Sequence, residues 1–415
     1  MDQSSFIQSI STINCDLIPP TEPSNAESAS NLVRNVCNHV LTNGPCEKSK
    51  ELIEILDNFL IYPDVKYLVL KSLLNLFKAT KSKVGVNVGE DFITVAFDLI
   101  SLIKLEAKDS KRVGGKRKWK STGSSNCSTG VDVLFKKSDD SGPLFTPKNL
   151  CYENQADLFA SVWFNFLTFK LSLPIYRSVL KMLDTKVIPH FRNPLSLSDF
   201  LISSFNIGGS ASVLALSSLY ILISKCNLEY PNFYKKFYSL ITADMLHVKY
   251  RARFFYWTDI FLTSTHIPGY LVAAFVKKLA RLTLIAPIDA ITIILPVIKN
   301  ALVRHPSLIV MMNKYSTGID SDPYDISQDD PVNSNAMESS LWELSTLQYH
   351  WNTKIASGVH FIKQPLPSKE TDLSELLETT FTELQAQSFK ALDKTDYDMH
   401  INQELRESLR KFVQV

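Results

Sequence analysis

Glycine is scarce in this 415-residue chain, 13 in all, which argues against a sandwich or barrel built on Gly-rich turns. Neither sign of charge is in excess. The 44 Lys and Arg against 42 Asp and Glu leave a net charge of +2, so any nucleic acid or membrane must be met by a local patch. The six cysteines, Cys15, Cys37, Cys46, Cys127, Cys151 and Cys226, form no Cys-x-x-Cys pair and no regular spacing. They read as reduced thiols of an intracellular protein rather than a disulfide framework. Residues 1–20 carry Asp2 where a signal peptide wants positive charge, and no long apolar run follows, so secretion is not expected. Asn126-Cys127-Ser128 fits the glycosylation pattern but then has no route to be used.

Catalytic patterns are also missing. The eight histidines are scattered, with no His-Glu-x-x-His and no Cys/His ligand spacing, so a zinc site is not expected. Gly114-Gly115-Lys116 lacks the spacing of a phosphate loop and the Ser or Thr after its Lys. In Gly208-Gly209-Ser210-Ala211-Ser212 the Gly that a nucleophile elbow needs two residues after its Ser is absent. The acidic stretch with Asp320, Asp322, Asp325, Asp329 and Asp330 lacks the Gly and terminal Glu of a calcium loop. These absences predict a protein that is no enzyme, holds no cofactor or metal and takes no small-molecule substrate.

What is present is apolar residues at helical spacing, in a chain 45% hydrophobic. Leu52, Leu56, Phe59 and Leu60 stripe a helix after Pro45. Val65, Val69, Leu73, Leu76 and Phe77 stripe the next, opened by Pro63, and 91–105 continues the pattern. From Leu150 helices resume over 156–169 and 176–187, with Ser196-x-x-Asp199 as a capping box opening another. Further helices are predicted at 233–241, 247–261, 271–285, 289–303 (kinked or broken near Pro296), 308–312, 339–351, 372–392 and 401–413. Successive helical hairpins of similar size predict an all-α fold, a HEAT- or armadillo-like α-solenoid of antiparallel helix pairs.

Composition divides the chain into an N-terminal helical region (1–105), a basic insert expected to be disordered (106–147), a helical-repeat domain (148–365) and a C-terminal helical extension (366–415). Within the insert, Lys111, Arg112, Lys116, Arg117 and Lys118 form a candidate nuclear-import signal or nucleic-acid-binding arm; a solvated loop has the same composition. Residues 200–224 carry no charge and are long enough to span a bilayer. The Gly208-Gly209 pair, however, predicts two shorter helices buried by neighbours, and no membrane partner is expected.

Basic residues gather around the apolar stretch from Ser210 to Met312. Lys249, Arg251 and Arg253 are placed on one helix beside several aromatics. Lys277, Lys278 and Arg281 share a face of the next, opposite Leu271, Phe275, Leu279 and Leu282. Side by side, the two faces would offer a positive strip to RNA phosphates or an acidic partner. Ordinary solvated faces, with Arg251 or Arg253 paired to Asp259 or Glu229, explain the same residues.

A family likeness runs through this region. Leu228-Glu229-Tyr230-Pro231-x-Phe233-Tyr234-x-Lys236-Phe237-Tyr238, Arg251-Ala252-Arg253-Phe254-Phe255, Ser264-Thr265-His266-Ile267-Pro268, Phe275-Val276-Lys277-Lys278-Leu279-Ala280-Arg281-Leu282 and His305-Pro306 follow one another in this order. The order resembles the CCAAT-binding-factor domain shared by nucleolar ribosome-assembly proteins. Asp322-Pro323-Tyr324, Glu338-Ser339-Ser340-Leu341-Trp342-Glu343-Leu344 and 372–380 narrow the likeness to one branch of that family. The resemblance implies a non-catalytic factor of the small-subunit processome, acting in the nucleolus and nucleus on pre-rRNA processing and subunit assembly and export. Implied partners are nucleolar protein 14, other pre-ribosomal particle proteins and pre-rRNA. Leu341, Trp342 and Leu344 then become candidate partner anchors, although an internal core contact would use them equally. A helical-repeat nuclear transport adaptor is the competing expectation.

Overall fold

The structure, a computed structural model, describes residues 3–13, 26–85, 88–105, 134–135, 147–264, 266–313, 322–379 and 382–386. Among them every regular element is helical and none is a strand, so the fold is all-α. They divide into two compact units, one ending at Tyr230 and one beginning at Pro231. The division falls inside the stretch 148–365 that composition presents as one domain. The import candidates Lys111, Arg112, Lys116, Arg117 and Lys118, and the helix predicted at 401–413, lie outside the described residues.

The first unit is built of α1 (Gln3–Ile13), α2 (Ala26–Asn43), α3 (Glu47–Phe59), α4 (Pro63–Val84), α5 (Glu90–Leu102), α6 (Pro147–Leu150), α7 (Tyr152–Leu167), α8 (Leu173–Met182), α9 (Ser198–Ile207) and α10 (Gly209–Cys226). Proline opens α4 at its first turn, where a missing N–H costs nothing. α4 then packs against both α2 and α7. Phe77 is the hub of that contact, its ring 6.1 Å from those of Phe92 and Phe166 and 5.8 Å from Phe169. Buried Asp64 accepts the N–H groups of Val65 (2.9 Å) and Phe135 (2.7 Å). Leu134 and Phe135 are themselves buried, so these two residues of the basic insert pack into the core.

Gly208 ends α9 and admits α10 with φ +91°, a conformation that suits glycine. The uncharged stretch is thereby split, as the glycine pair predicted. Among the described residues, α10 is the one helix long and apolar enough by itself to cross a membrane, yet ten of its residues, from Ala211 to Leu222, are buried inside the fold. All-round burial accounts for its apolar character without a bilayer. The capping box does not form: Ser196 lies within a 3-10 turn (Pro194–Leu197), and its hydroxyl donates back to Asn193 O at 2.9 Å.

The second unit holds α11 (Phe233–Ser239), α12 (Arg251–Phe261), α13 (Gly269–Leu282), α14 (Ile288–Arg304), α15 (Ile309–Asn313), α16 (Trp342–Leu347), α17 (Thr353–Gly358) and α18 (Ser374–Glu378). α13 is its centre, contacted by α14, by α16 and by two 3-10 turns, Pro331–Ser334 and Ala336–Glu338. Eleven residues of α13 are buried, Lys277 and Lys278 among them. Phe237 ties its aromatic face together, with ring centroids 5.4 Å from Phe254 and 5.5 Å from both Phe261 and Phe275.

Two predicted boundaries move. α14 runs on through Pro296, because a helix buried along most of its length is held by packing that outweighs one lost hydrogen bond. The break comes instead at His305, extended ahead of Pro306, where the chain turns by 109° into the next helical segment. The helix predicted over 339–351 shrinks to α16. Ser340 O is taken by Lys277 Nζ (2.6 Å) and the N–H of Leu341 by Met311 O (2.9 Å), which removes both groups from a helical ladder.

Candidate functional site

The charges of α13 point inward. Lys277 is fully buried, and its ammonium sits 3.0 Å from Asp322 Oδ2 and 2.7 Å from Glu343 Oε1 while donating to Ser340 O. One turn on, Arg281 places Nη2 2.8 Å from Asp322 Oδ2 and Nε 3.1 Å from Glu343 Oε1. Two cations thus face two carboxylates. Glu343 Oε1 meets both cations as charge contacts outside hydrogen-bond alignment. Asp322 is better satisfied, accepting from Ser339 Oγ (2.5 Å), Trp342 Nε1 (2.9 Å) and the N–H of Tyr324 (3.2 Å). The Arg281 guanidinium carbon lies 4.8 Å from the centroid of the Trp342 ring, a stacking that planar guanidinium favours.

This geometry separates the titrations of the two acids. Burial pushes the Asp322 carboxyl up, but donation from Ser339, Trp342 and Lys277 outweighs it and holds the group at about 2. For Glu343 burial dominates and raises the carboxyl above its ordinary range, with Lys277 and Arg281 offsetting part of the rise. Lys278 donates to Tyr238 O at 3.1 Å and stands 4.0 Å from the centre of the same residue's ring. Its burial lowers the ammonium, and Asp329 opposes that shift. Tyr238 and Tyr324 share a hydroxyl–hydroxyl hydrogen bond of 2.9 Å, and burial raises both phenols.

These contacts correct the expected positive strip. Lys277, Lys278 and Arg281 hold the segment 322–343 and α11 against α13; Lys277 and Lys278 are buried, and Arg281, half-buried, is engaged by both carboxylates. Nor is Lys249 on a helix; it lies exposed in the turn before α12. Arg251 is half-buried, pairs with Asp289 rather than with Asp259 or Glu229, and donates to Leu246 O at 3.1 Å. Arg253 is half-buried on α12. Of the six cations expected to contact RNA, Lys249 is the exposed one. The partner anchors turn inward as well: Leu341 and Leu344 are buried, and the Trp342 indole is occupied by Asp322 and Arg281.

A second charged cluster fastens the C-terminal segment. Arg304 on α14 makes a two-pronged pair with Asp259, at 2.9 and 3.0 Å, and reaches Glu370 at 2.6 Å. Asn300 clasps the backbone of Thr371, donating to its carbonyl (2.9 Å) and accepting its N–H (2.8 Å). Among the acidic-turn residues, Asp325 accepts the N–H of Ser327 and Asp330 that of Val332, which makes them turn caps. Among the described residues no group of three or more His, Cys, Asp or Glu is placed to hold a metal ion.

What sequence reasoning missed is the turn between α16 and α17. Tyr349 is 87% exposed and Trp351 77%, and the His350 ring stacks on the indole with centroids 5.5 Å apart and planes 28° from parallel. Read as part of a helix over 339–351, these rings belonged to an amphipathic stripe.

Comparison with known proteins places this second unit and the end of the first. The sequence model of the CBF/Mak21 family matches residues 212–359. The chain is 37% identical to the nucleolar complex protein 4 homolog of Rattus norvegicus over 362 residues, covering 87% of this chain and 66% of that protein. It is 44% identical to the Homo sapiens homolog over 234 residues, 56% of this chain and 45% of that one. For nucleolar complex protein 4 of Saccharomyces cerevisiae the figures are 36% over 272 residues, 59% and 49%. The chain therefore spans about half to two thirds of the length of these relatives. Asp322, Tyr324, Ser339, Trp342 and Glu343, which carried the finer resemblance, converge on Lys277 and Arg281, and through the region 212–359 the chain belongs to the CBF/Mak21 family.

Proposed function

We propose that this chain is a non-catalytic helical scaffold of ribosome assembly in the nucleolus, acting on the small subunit within the small-subunit processome and in complex with nucleolar protein 14. It supports pre-rRNA processing and subunit assembly and export by holding partners, without turning over a substrate. Two observations support this reading. The relatives it matches are named nucleolar complex proteins. In the fold, Lys277, Arg281, Asp322, Trp342 and Glu343 close segment 322–343 over α13, and such a cluster rigidifies a surface rather than opening a cavity.

The test is purification of a tagged full-length chain from nuclear extract. Co-recovery of nucleolar protein 14 and small-subunit rRNA precursors is expected. Recovery of transport receptors and their cargo alone would instead establish the transport-adaptor reading.

A further inference from the structure

Two large aromatic rings stand almost fully in water in the second unit, where most others are packed. Tyr349 and Trp351 flank His350, whose ring covers one side of the indole. The turn is held from within: His350 Nδ1 accepts the N–H of Asn352 at 3.0 Å, and Asn352 Oδ1 accepts the N–H of Lys354 at 3.0 Å as the cap of α17. These bonds set the backbone from His350 to Lys354, and the His350 ring braces the indole.

In sequence, the stretch that carries these rings holds charge of one sign. Between Glu343, which is buried, and Glu370, which is tied to Arg304, the sequence holds no acidic residue. The same stretch carries Lys354, Lys363, Lys369 and His360, all exposed. Ser345, Thr346 and Thr353, close to the rings in sequence, are exposed as well. An aromatic anchor for a protein partner is ordinarily ringed by apolar surface that excludes water. Exposed rings among hydroxyls and lysines match the stacking platforms and cationic tracks that bind unpaired nucleobases.

We propose that residues 349–351 form a stacking platform for single-stranded RNA, with Trp351 and Tyr349 receiving bases and the exposed Lys363 meeting an adjoining phosphate. Only the identity of that RNA as pre-rRNA rests on the assembly-factor reading. The experiment uses the full chain and an unstructured, fluorescein-labelled RNA of about 12 nucleotides, titrated by anisotropy alongside a duplex of equal length. Trp351→Ala should weaken single-strand binding roughly tenfold or more, Trp351→Phe should keep most of it, and the duplex should bind less well. Lys363→Glu should weaken binding and flatten its dependence on salt.

Unchanged affinity in Trp351→Ala, or a wild-type chain that does not bind the single strand, overturns the platform. So does loss of nucleolar protein 14 from a Trp351→Ala purification with RNA affinity intact, which would make the turn a protein-docking surface. Failure of the scaffold reading shows separately, as absence of nucleolar protein 14 and rRNA precursors from the wild-type purification.

Discussion

At Asp322 two opposing effects meet in one side chain, and the hydrogen bonds win. Its carboxyl is held at about 2 against an ordinary 3.8, which makes it a source of stability that depends on pH. Because the folded value is the lower one, the contribution is fully present above about pH 4. It is lost as pH falls toward 2, and amounts to roughly 2 kcal/mol at 1.36 kcal/mol per unit. Urea titrations at pH 6 and pH 3 should therefore show a wider gap between wild type and Asp322→Asn at the higher pH. Glu343 works in the other direction, since burial favours its neutral form, so the comparison must be made within the pair of proteins and not from the wild-type curve alone. Arg251 and Lys249 differ as sharply, though two residues apart. Arg251→Glu sets a carboxylate against Asp289 in a half-buried site and should cost roughly 2 kcal/mol or more in chemical denaturation. Lys249→Glu, on an exposed turn, should leave the same transition where it was.

Helices were readable in this sequence because apolar spacing and proline positions are local signals. Pro63 starts α4, Gly208 separates α9 from α10, and the stripe Phe77 belongs to is the one that packs. The roles of the charged side chains were not readable. Lys277, Lys278 and Arg281 form a basic face in the sequence of α13, and their partners come from residues some 40 or more positions away. No pattern within the helix shows whether such a face looks at water or at a distant carboxylate. The same blindness explains the start of 339–351, where backbone groups engaged by α13 and α15 keep residues 339–341 out of the helix. At this scale the C-terminal segment provides a test. Asn300→Ala removes both hydrogen bonds to Thr371, and hydrogen exchange should accelerate over 370–378 while the amides of α13 stay protected. Uniform acceleration through the unit would mean that the clasp is part of the core.

The chain as a whole has two compact units, each with its own aromatic core, and a family match that begins in the last helix of the first and runs through most of the second. Its near-zero net charge is consistent with a scaffold that meets partners through restricted patches and not through a global field. The account turns on what the α13 cations do, because a scaffold with a sealed interior and an RNA-binding groove built on that helix are different molecules. The most direct measurement is equilibrium unfolding of Lys277→Met with RNA affinity measured on the folded protein. The account predicts a loss of about 3–5 kcal/mol, since Asp322 would keep a buried charge with only Arg281 beside it, and RNA binding per folded molecule unchanged. Unaltered stability together with weakened RNA binding would contradict it.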